Sequence, residues 1–197
     1  MILVFYVIDY ADRWLFSQIY FHWHNSLLDA VVPFFSDPFA HYKLFLLGLA
    51  VVLMFVCERR MRLTIIFMLL AVGVADLISS RILKELYCLT RPMSFLGEAA
   101  RGYSFPSSHA ANTWAAISLF QRDNPRFRPL LWALGFLVCF SRVYVGDHYP
   151  GDVIAGGFLG IGIGWNVYRL QRPVEHAWDL LWNRYRFRIA QRHSKKD

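Results

Sequence analysis

The chain has 197 residues, of which 56% are hydrophobic, 17% aromatic and only 18% charged. A soluble domain carries about 25% charged residues, so this composition excludes a disordered chain, a coiled coil and a low-complexity protein, and makes an integral membrane protein the leading class. Cys57, Cys88 and Cys139 are too few and too scattered for a disulfide scaffold or a zinc site. The formal charge of +7 has to be read against a membrane before it is read as a sign of nucleic acid.

In chain order, Met1–Ile8 is apolar, but it has no basic flank and no small-residue cleavage site, so a cleaved signal peptide is not expected. Residues 9–35 mix Trp14, Tyr20, Trp23 and Leu27 with Asp9, Asp12, Arg13, His22, His24 and Asp29. That mixture predicts one or two aromatic-rich helices in the membrane interface, with a sixth, imperfect span as the alternative. Five apolar stretches then predict crossings: Phe39–Cys57, Leu63–Leu83, Ser107–Phe120, Pro129–Val145 and Val153–Leu170. The last contains Gly156, Gly160 and Gly164, two overlapping small-residue patterns that let another helix pack closely.

The expected fold class is therefore all-α, a polytopic transmembrane bundle. It divides into an N-terminal interfacial segment (1–38), a membrane bundle (39–170) and a basic tail (171–197). In the tail, Val174, Ala177, Trp178, Leu181, Trp182 and Tyr185 recur at helical spacing among arginines. This predicts an amphipathic helix on an anionic leaflet rather than a nucleic-acid contact.

Basic residues orient the bundle. Arg59, Arg60 and Arg62, then Arg122, Arg126 and Arg128, then the tail arginines fall on one side if the five spans alternate. That side is expected to be cytoplasmic. Lys84, Arg91 and Arg142 lie on the other side, against the bias, and need a separate reason.

Three segments meet on that outer side: Lys84 to Arg91-Pro92, Pro106-Ser107-Ser108-His109, and Ser141-Arg142 followed by His148 and Asp152. Together they supply cations, two histidines, a carboxylate and a hydroxyl at a helix start. This set suits phosphoryl transfer. Cations and helix N-terminal N–H groups stabilise phosphate oxygens. One histidine can attack phosphorus while another protonates the departing oxygen, and a carboxylate can hold the attacking imidazole in the right tautomer.

These segments resemble the signature of the type-2 phosphatidic acid phosphatase family: K-x6-R-P, P-S-x-H and S-R-x5-H-x3-D. The resemblance covers residues 84–152; Ser108 stands where the common form has glycine, and its backbone N–H serves equally. It implies a helical bundle, with His148 as nucleophile, Asp152 as its orienting partner and His109 as general acid. Lys84, Arg91 and Arg142 would clamp the phosphate, and Ser107 with the N–H groups of Ser108 and His109 would complete the oxyanion site. No metal and no cofactor are implied.

The expected activity is hydrolysis of a membrane lipid phosphate at the outer face of a bacterial-type inner membrane, through a phosphohistidine. Undecaprenyl pyrophosphate, lipid A 1-phosphate, phosphatidylglycerophosphate and phosphatidate are the candidate substrates. A lipid phosphotransferase sharing the intermediate, or a transporter without chemistry, are the alternatives. Asp76, inside the second stretch, has no place in the signature; it is expected to pair with Arg81 or another bundle residue, with a substrate-side role as the other reading.

Overall fold

The structure, a computed structural model, describes residues 2–36, 48, 51–53, 55–95, 97 and 102–194. Most of the expected first crossing, Phe39–Cys57, lies outside the described residues. Everything regular that is described is helical. Helix α1 spans Ile2–His22 and α2 Ser26–Ser36. Helix α3, Arg59–Asp76, runs into a π-helical turn at Leu77–Leu83 and a last α-turn, α4, at Lys84–Tyr87. A short α5 (Pro92–Phe95) precedes α6, Ser108–Asp123; α7 covers Arg128–Tyr144 and α8 Pro150–Ser194.

Among the described residues, three stretches are long and apolar enough to cross a membrane: Arg59–Ser94, Pro125–Tyr144 and Pro150–Trp182. Helix α6 has 16 residues, about 24 Å at 1.5 Å per residue, short of a hydrocarbon core of about 30 Å. It is instead the buried centre of the bundle. Ala110, Ala111, Ala115 and Leu119 are fully buried along it. Ala111, Ala115 and Leu119 meet Ala71 and Ala75 of α3 and Val167 of α8 in one apolar cluster. Small side chains on three helices let the backbones approach where no hydrophobic force separates protein from lipid.

The closest approach is between α6 and α8. A Cβ built on Gly156 would collide with the carbonyl oxygen of Ser107, one on Gly160 with that of Ala111, and one on Gly164 with that of Ala115. The glycines at four-residue spacing thus set the distance between these two helices. Helix α8 continues past residue 170 through Pro173 without a break, so the tail extends the last membrane helix directly.

Helices α1 and α2 pack against the segment joining α7 to α8. Phe16, Ile19 and Val32 form a second apolar cluster with Val143, Tyr144 and Val153. The joining segment is tight: the N–H groups of Asp147 and His148 both donate to the carbonyl of Arg142, at 3.2 Å each. Gly146 takes φ +82° there, with Tyr20 and Met93 filling the space a side chain would need.

Candidate active site

Each of the three segments is fixed by its local structure. Ser107 is the N-cap of α6: its backbone is extended, and its Oγ accepts from the Ala110 N–H. The N–H groups of the first turn therefore point out of the helix start, beside the His109 side chain. The π-turn at Leu77–Leu83 alters the angular spacing between Asp76 and Lys84, and the chain then stops at Cys88 in a left-handed conformation (φ 49°). The loop from α7 returns to place His148 just ahead of α8, whose first turn contains Asp152.

These elements enclose a cavity of about 530 Å³, lined by Lys84, Arg91, Ser108, His109 and His148 on one side and by Val72, Gly73, Asp76, Ser80 and Asn112 on the other. Arg142, Ser107 and Asp152 stand behind this wall and are buried. All eight residues singled out from the sequence thus converge on one place, five at the surface of the cavity and three supporting it. Among the described residues, no group of three His, Cys, Asp or Glu side chains could hold a metal ion.

His148 is 1% exposed, and its Nδ1 lies 3.5 Å from Asp152 Oδ2. Nδ1 has no hydrogen-bond partner among the described residues. Asp152 Oδ2 instead accepts from the Ser104 hydroxyl and, at 2.9 Å, from the Tyr149 N–H. The carboxylate is therefore held in place by other donors and faces the imidazole at slightly more than bonding distance, a spacing that catalytic pairs often close when substrate arrives. Burial pushes the His148 imidazole down to about 4; Asp152 opposes the shift and the Arg142 charge adds to it. The resting side chain is neutral at pH 7. The backbone joins the segments as well, with the Ser107 N–H donating to the Asp152 carbonyl at 3.0 Å.

Sequence reasoning passed over Asp147. Its Oδ1 accepts from Arg91 and its Oδ2 pairs with Arg142, both at 2.7 Å. One carboxylate thus holds the two guanidinium groups of the expected clamp together. Arg142 also donates to the hydroxyl of Ser36, at 2.6 Å, and to its carbonyl. The only sequence signal for Asp147 was a carboxylate next to His148. Ser104 was missed too, because nothing in the sequence ties it to Asp152.

Asp76 does not pair with Arg81. Its Oδ1 accepts from Ser80 Oγ and from Asn112 Nδ2, each at 3.2 Å. Ser80 and Ser108 in turn share a hydrogen bond of 2.8 Å between their hydroxyls.

Comparison with known proteins agrees with this geometry. An undecaprenyl-diphosphatase of Sulfolobus acidocaldarius is 31% identical over 140 residues, 67% of this chain and 66% of that protein. Undecaprenyl-diphosphatase BcrC of Bacillus subtilis is 29% identical over 80% of this chain and 82% of its own length. A lipid A 4'-phosphatase of Bacteroides thetaiotaomicron is 40% identical over 76 residues, 36% of this chain; the match spans only 33% of that relative. Among solved structures, a transmembrane PAP2-type phosphatidylglycerolphosphate phosphatase from Bacillus subtilis shares the fold with a TM-score of 0.66, at 22% identity over 87% of both chains. Aquifex aeolicus LpxE does so with a TM-score of 0.59, at 23% identity over 79% of this chain and 93% of that one. The model of the PAP2 superfamily matches residues 63–175, more than half of the sequence and the whole of the cavity wall, and the chain belongs to that superfamily.

Proposed function

We propose that the protein hydrolyses a phosphate or pyrophosphate group from a membrane lipid, without a metal, through a phosphohistidine on His148. The observation that carries this reading is the single cavity shared by two histidines and two cations, with Asp152 directly behind the buried His148. Because Nδ1 faces Asp152, Nε2 is the nitrogen left to attack. As the Nε2–P bond forms, the bond from phosphorus to the lipid oxygen breaks and His109 delivers a proton to that oxygen. His109 then takes a proton from water, the water oxygen bonds to phosphorus, and the P–N bond breaks to release inorganic phosphate. Asp152 stabilises the imidazolium formed in the first step. Lys84, Arg91, Arg142 and the N-terminus of α6 meet the growing charge on the phosphate oxygens.

The membrane arrangement follows from the same residues. Arg59 bonds Asp179 and Arg60 bonds Asp123, so the basic residues gather at the end of the bundle away from His148. By the positive-inside rule that end is cytoplasmic and the cavity faces outward, toward the periplasm in a bacterial inner membrane. We read the bundle as five crossings, with α1 lying across the outer face. Asp12 meets Gly151, Phe16 meets Tyr149 and Tyr20 meets Gly146 along its length, which supports that placement. The short α6 then leaves its N-terminus, and the phosphate, recessed below the outer surface. A lipid can insert its phosphate there while its chains stay in the bilayer.

The test is to trap the intermediate. Brief exposure of the purified chain to a ³²P-labelled lipid phosphate, followed by denaturation, should leave label on the protein that is stable to alkali and lost in acid. His148→Ala should carry none. Label retained by that variant, or turnover without any acid-labile label, would overturn the mechanism.

A further inference from the structure

At the end of the bundle away from His148, the start of α3 and the tail of α8 leave two clefts that share Arg59. In the first, Arg59, Arg60 and Arg172 are matched by Glu58, Glu175 and Asp179, so the charges cancel. The second, of about 580 Å³, is lined by Arg59 and Arg62 with Leu63, Ile66, Trp178 and Trp182, and by no carboxylate. That volume falls within the roughly 300–1,000 Å³ of small-ligand sites.

Positive charge is in excess in this second cleft. The Arg59 guanidinium donates to Asp179 at 2.7 Å and lies 5.5 Å from the centre of the Trp178 ring, yet its Nε is buried without a hydrogen-bond partner among the described residues. Arg62 is exposed and has no carboxylate partner among the described residues. Helix α3 also begins without a side-chain cap, which adds the partial positive charge of its first turn.

The apolar lining says which kind of anion fits. Arg59, Arg62, Leu63 and Ile66 stand at i, i+3, i+4 and i+7, on one face of α3. From Arg59 to Ile66 that face climbs about 10 Å toward the middle of the bundle. Charge comes first and apolar side chains second, the order of a phospholipid's headgroup and chain. Because α8 runs straight on past residue 170, Trp178 and Trp182 stand exposed beside this face, and indoles favour the headgroup level. A soluble polyanion would match the arginines and leave the indoles, Leu63 and Ile66 bare. A zwitterionic lipid would bring its own cation to Arg62.

We propose that this cleft binds one anionic phospholipid of the adjoining leaflet, with its phosphate on Arg59 and Arg62 and one chain along Leu63 and Ile66. The lipid bridges α3, which leads to Lys84, and α8, whose first turn carries Asp152. The site requires the chain to sit in a bilayer and is independent of the phosphatase chemistry at the other end of the bundle.

The experiment reconstitutes the full chain in phosphatidylcholine vesicles that contain a minor fraction of one lipid with brominated chains, which quench a nearby indole. That lipid is phosphatidylglycerol in one arm and phosphatidylcholine in the other. Phosphatidylglycerol is a phosphodiester, so it offers no terminal phosphate to remove. It should quench more than brominated phosphatidylcholine, and the excess should vanish in the double variant Trp178→Phe, Trp182→Phe. Arg62→Gln should lower the preference for phosphatidylglycerol by roughly 3- to 10-fold, the effect of one arginine at an anionic surface. Arg126→Gln removes the same charge from the same end of the bundle but outside the cleft, and should leave the preference within about twofold. Equal losses in the two arginine variants would mean diffuse attraction and overturn the site. Equal quenching by the two lipids would overturn it as well, as would excess quenching that persists without Trp178 and Trp182. Weak quenching by both lipids would mean that another occupant, such as a second copy of the chain, covers the cleft, and that also overturns it.

Discussion

Gly160→Ala adds a single methyl group where α8 crosses α6, and its effect can be worked out from the packing. The added carbon would collide with the Ala111 carbonyl oxygen and lie 2.9 Å from both Ala111 C and Ala115 N. Carbon contacts are comfortable at about 3.5–4.0 Å, so the two backbones must part by about 1 Å. Overpacking of this kind costs about 1–3 kcal/mol, partly offset by the roughly 0.5–1 kcal/mol that alanine gains over glycine inside a helix. A net loss of about 1–2 kcal/mol corresponds to a drop of roughly 2–8 °C in Tm for a chain of this size. The loss of activity should be larger. Ala111 is one turn from Ser107, whose N–H is bonded to the Asp152 carbonyl at 3.0 Å, so the displacement reaches the line along which nucleophile and acid are held. A misplacement of 1 Å can cost on the order of 100-fold in rate. Gly162→Ala is the control, because a Cβ there meets nothing within 4 Å; it should raise Tm slightly and leave turnover unchanged. Thermal unfolding in detergent and phosphate release, measured side by side, decide the matter. If Gly160→Ala and Gly162→Ala behave alike, the glycines do not set the spacing of the site.

The acid limb of kcat/KM should lie near pH 4 rather than at the usual histidine value, since His148 must be neutral to attack and its imidazole is pushed down to about 4. Arg142→Gln removes a nearby positive charge, so protonation becomes easier and the limb should move to higher pH; a limb that stays put or moves down refutes that origin of the shift. Asp147→Asn keeps the shape between Arg91 and Arg142 but removes the charge that offsets them. Inorganic phosphate should then inhibit roughly 3- to 10-fold more strongly, and unchanged or weaker inhibition would show that Asp147 does not compete with the ligand. Turnover should persist in excess EDTA, whereas activity lost to the chelator and restored by a divalent ion would mean that Lys84, Arg91 and Arg142 do not carry the electrostatic work alone.

What the sequence revealed and what it hid divide along a physical line. Lys84, Arg91, His109, Arg142, His148 and Asp152 were legible as one cluster because they stand at helix ends, where spacing along the chain is constrained. The glycine run was legible because close helix packing demands a four-residue repeat. Contacts between distant segments were not. Arg142 meets Ser36 across 106 positions and Arg91 meets Asp147 across 56, and no periodicity encodes either. Asp76 was visible as an acid within an apolar stretch, and of the partners expected for it, Arg81 or another bundle residue, the second kind is found. The expected Arg81 is five residues on, whereas the partners found are Ser80, one turn on, and Asn112 on another helix. The π-turn that follows Asp76 leaves no trace in the hydrophobic pattern, because it alters the pitch for only seven residues.

The hold of α1 and α2 on the loop that carries His148 has an implication for how such proteins diverge. Asp12 accepts from the Gly151 N–H, Asp29 from the Tyr144 hydroxyl, and Ser36 from Arg142. All three donors fall within residues 63–175, the region recognisable as PAP2, and all three acceptors fall outside it. The part of the chain that the family model matches therefore carries the site residues, and the part before it supplies the splint that keeps them in position. Selection can retouch the splint, and with it the poise of the loop, without altering a signature residue. Exchanging the first 36 residues with those of a relative would then yield a chimera whose reactive groups are all present but set in a foreign brace.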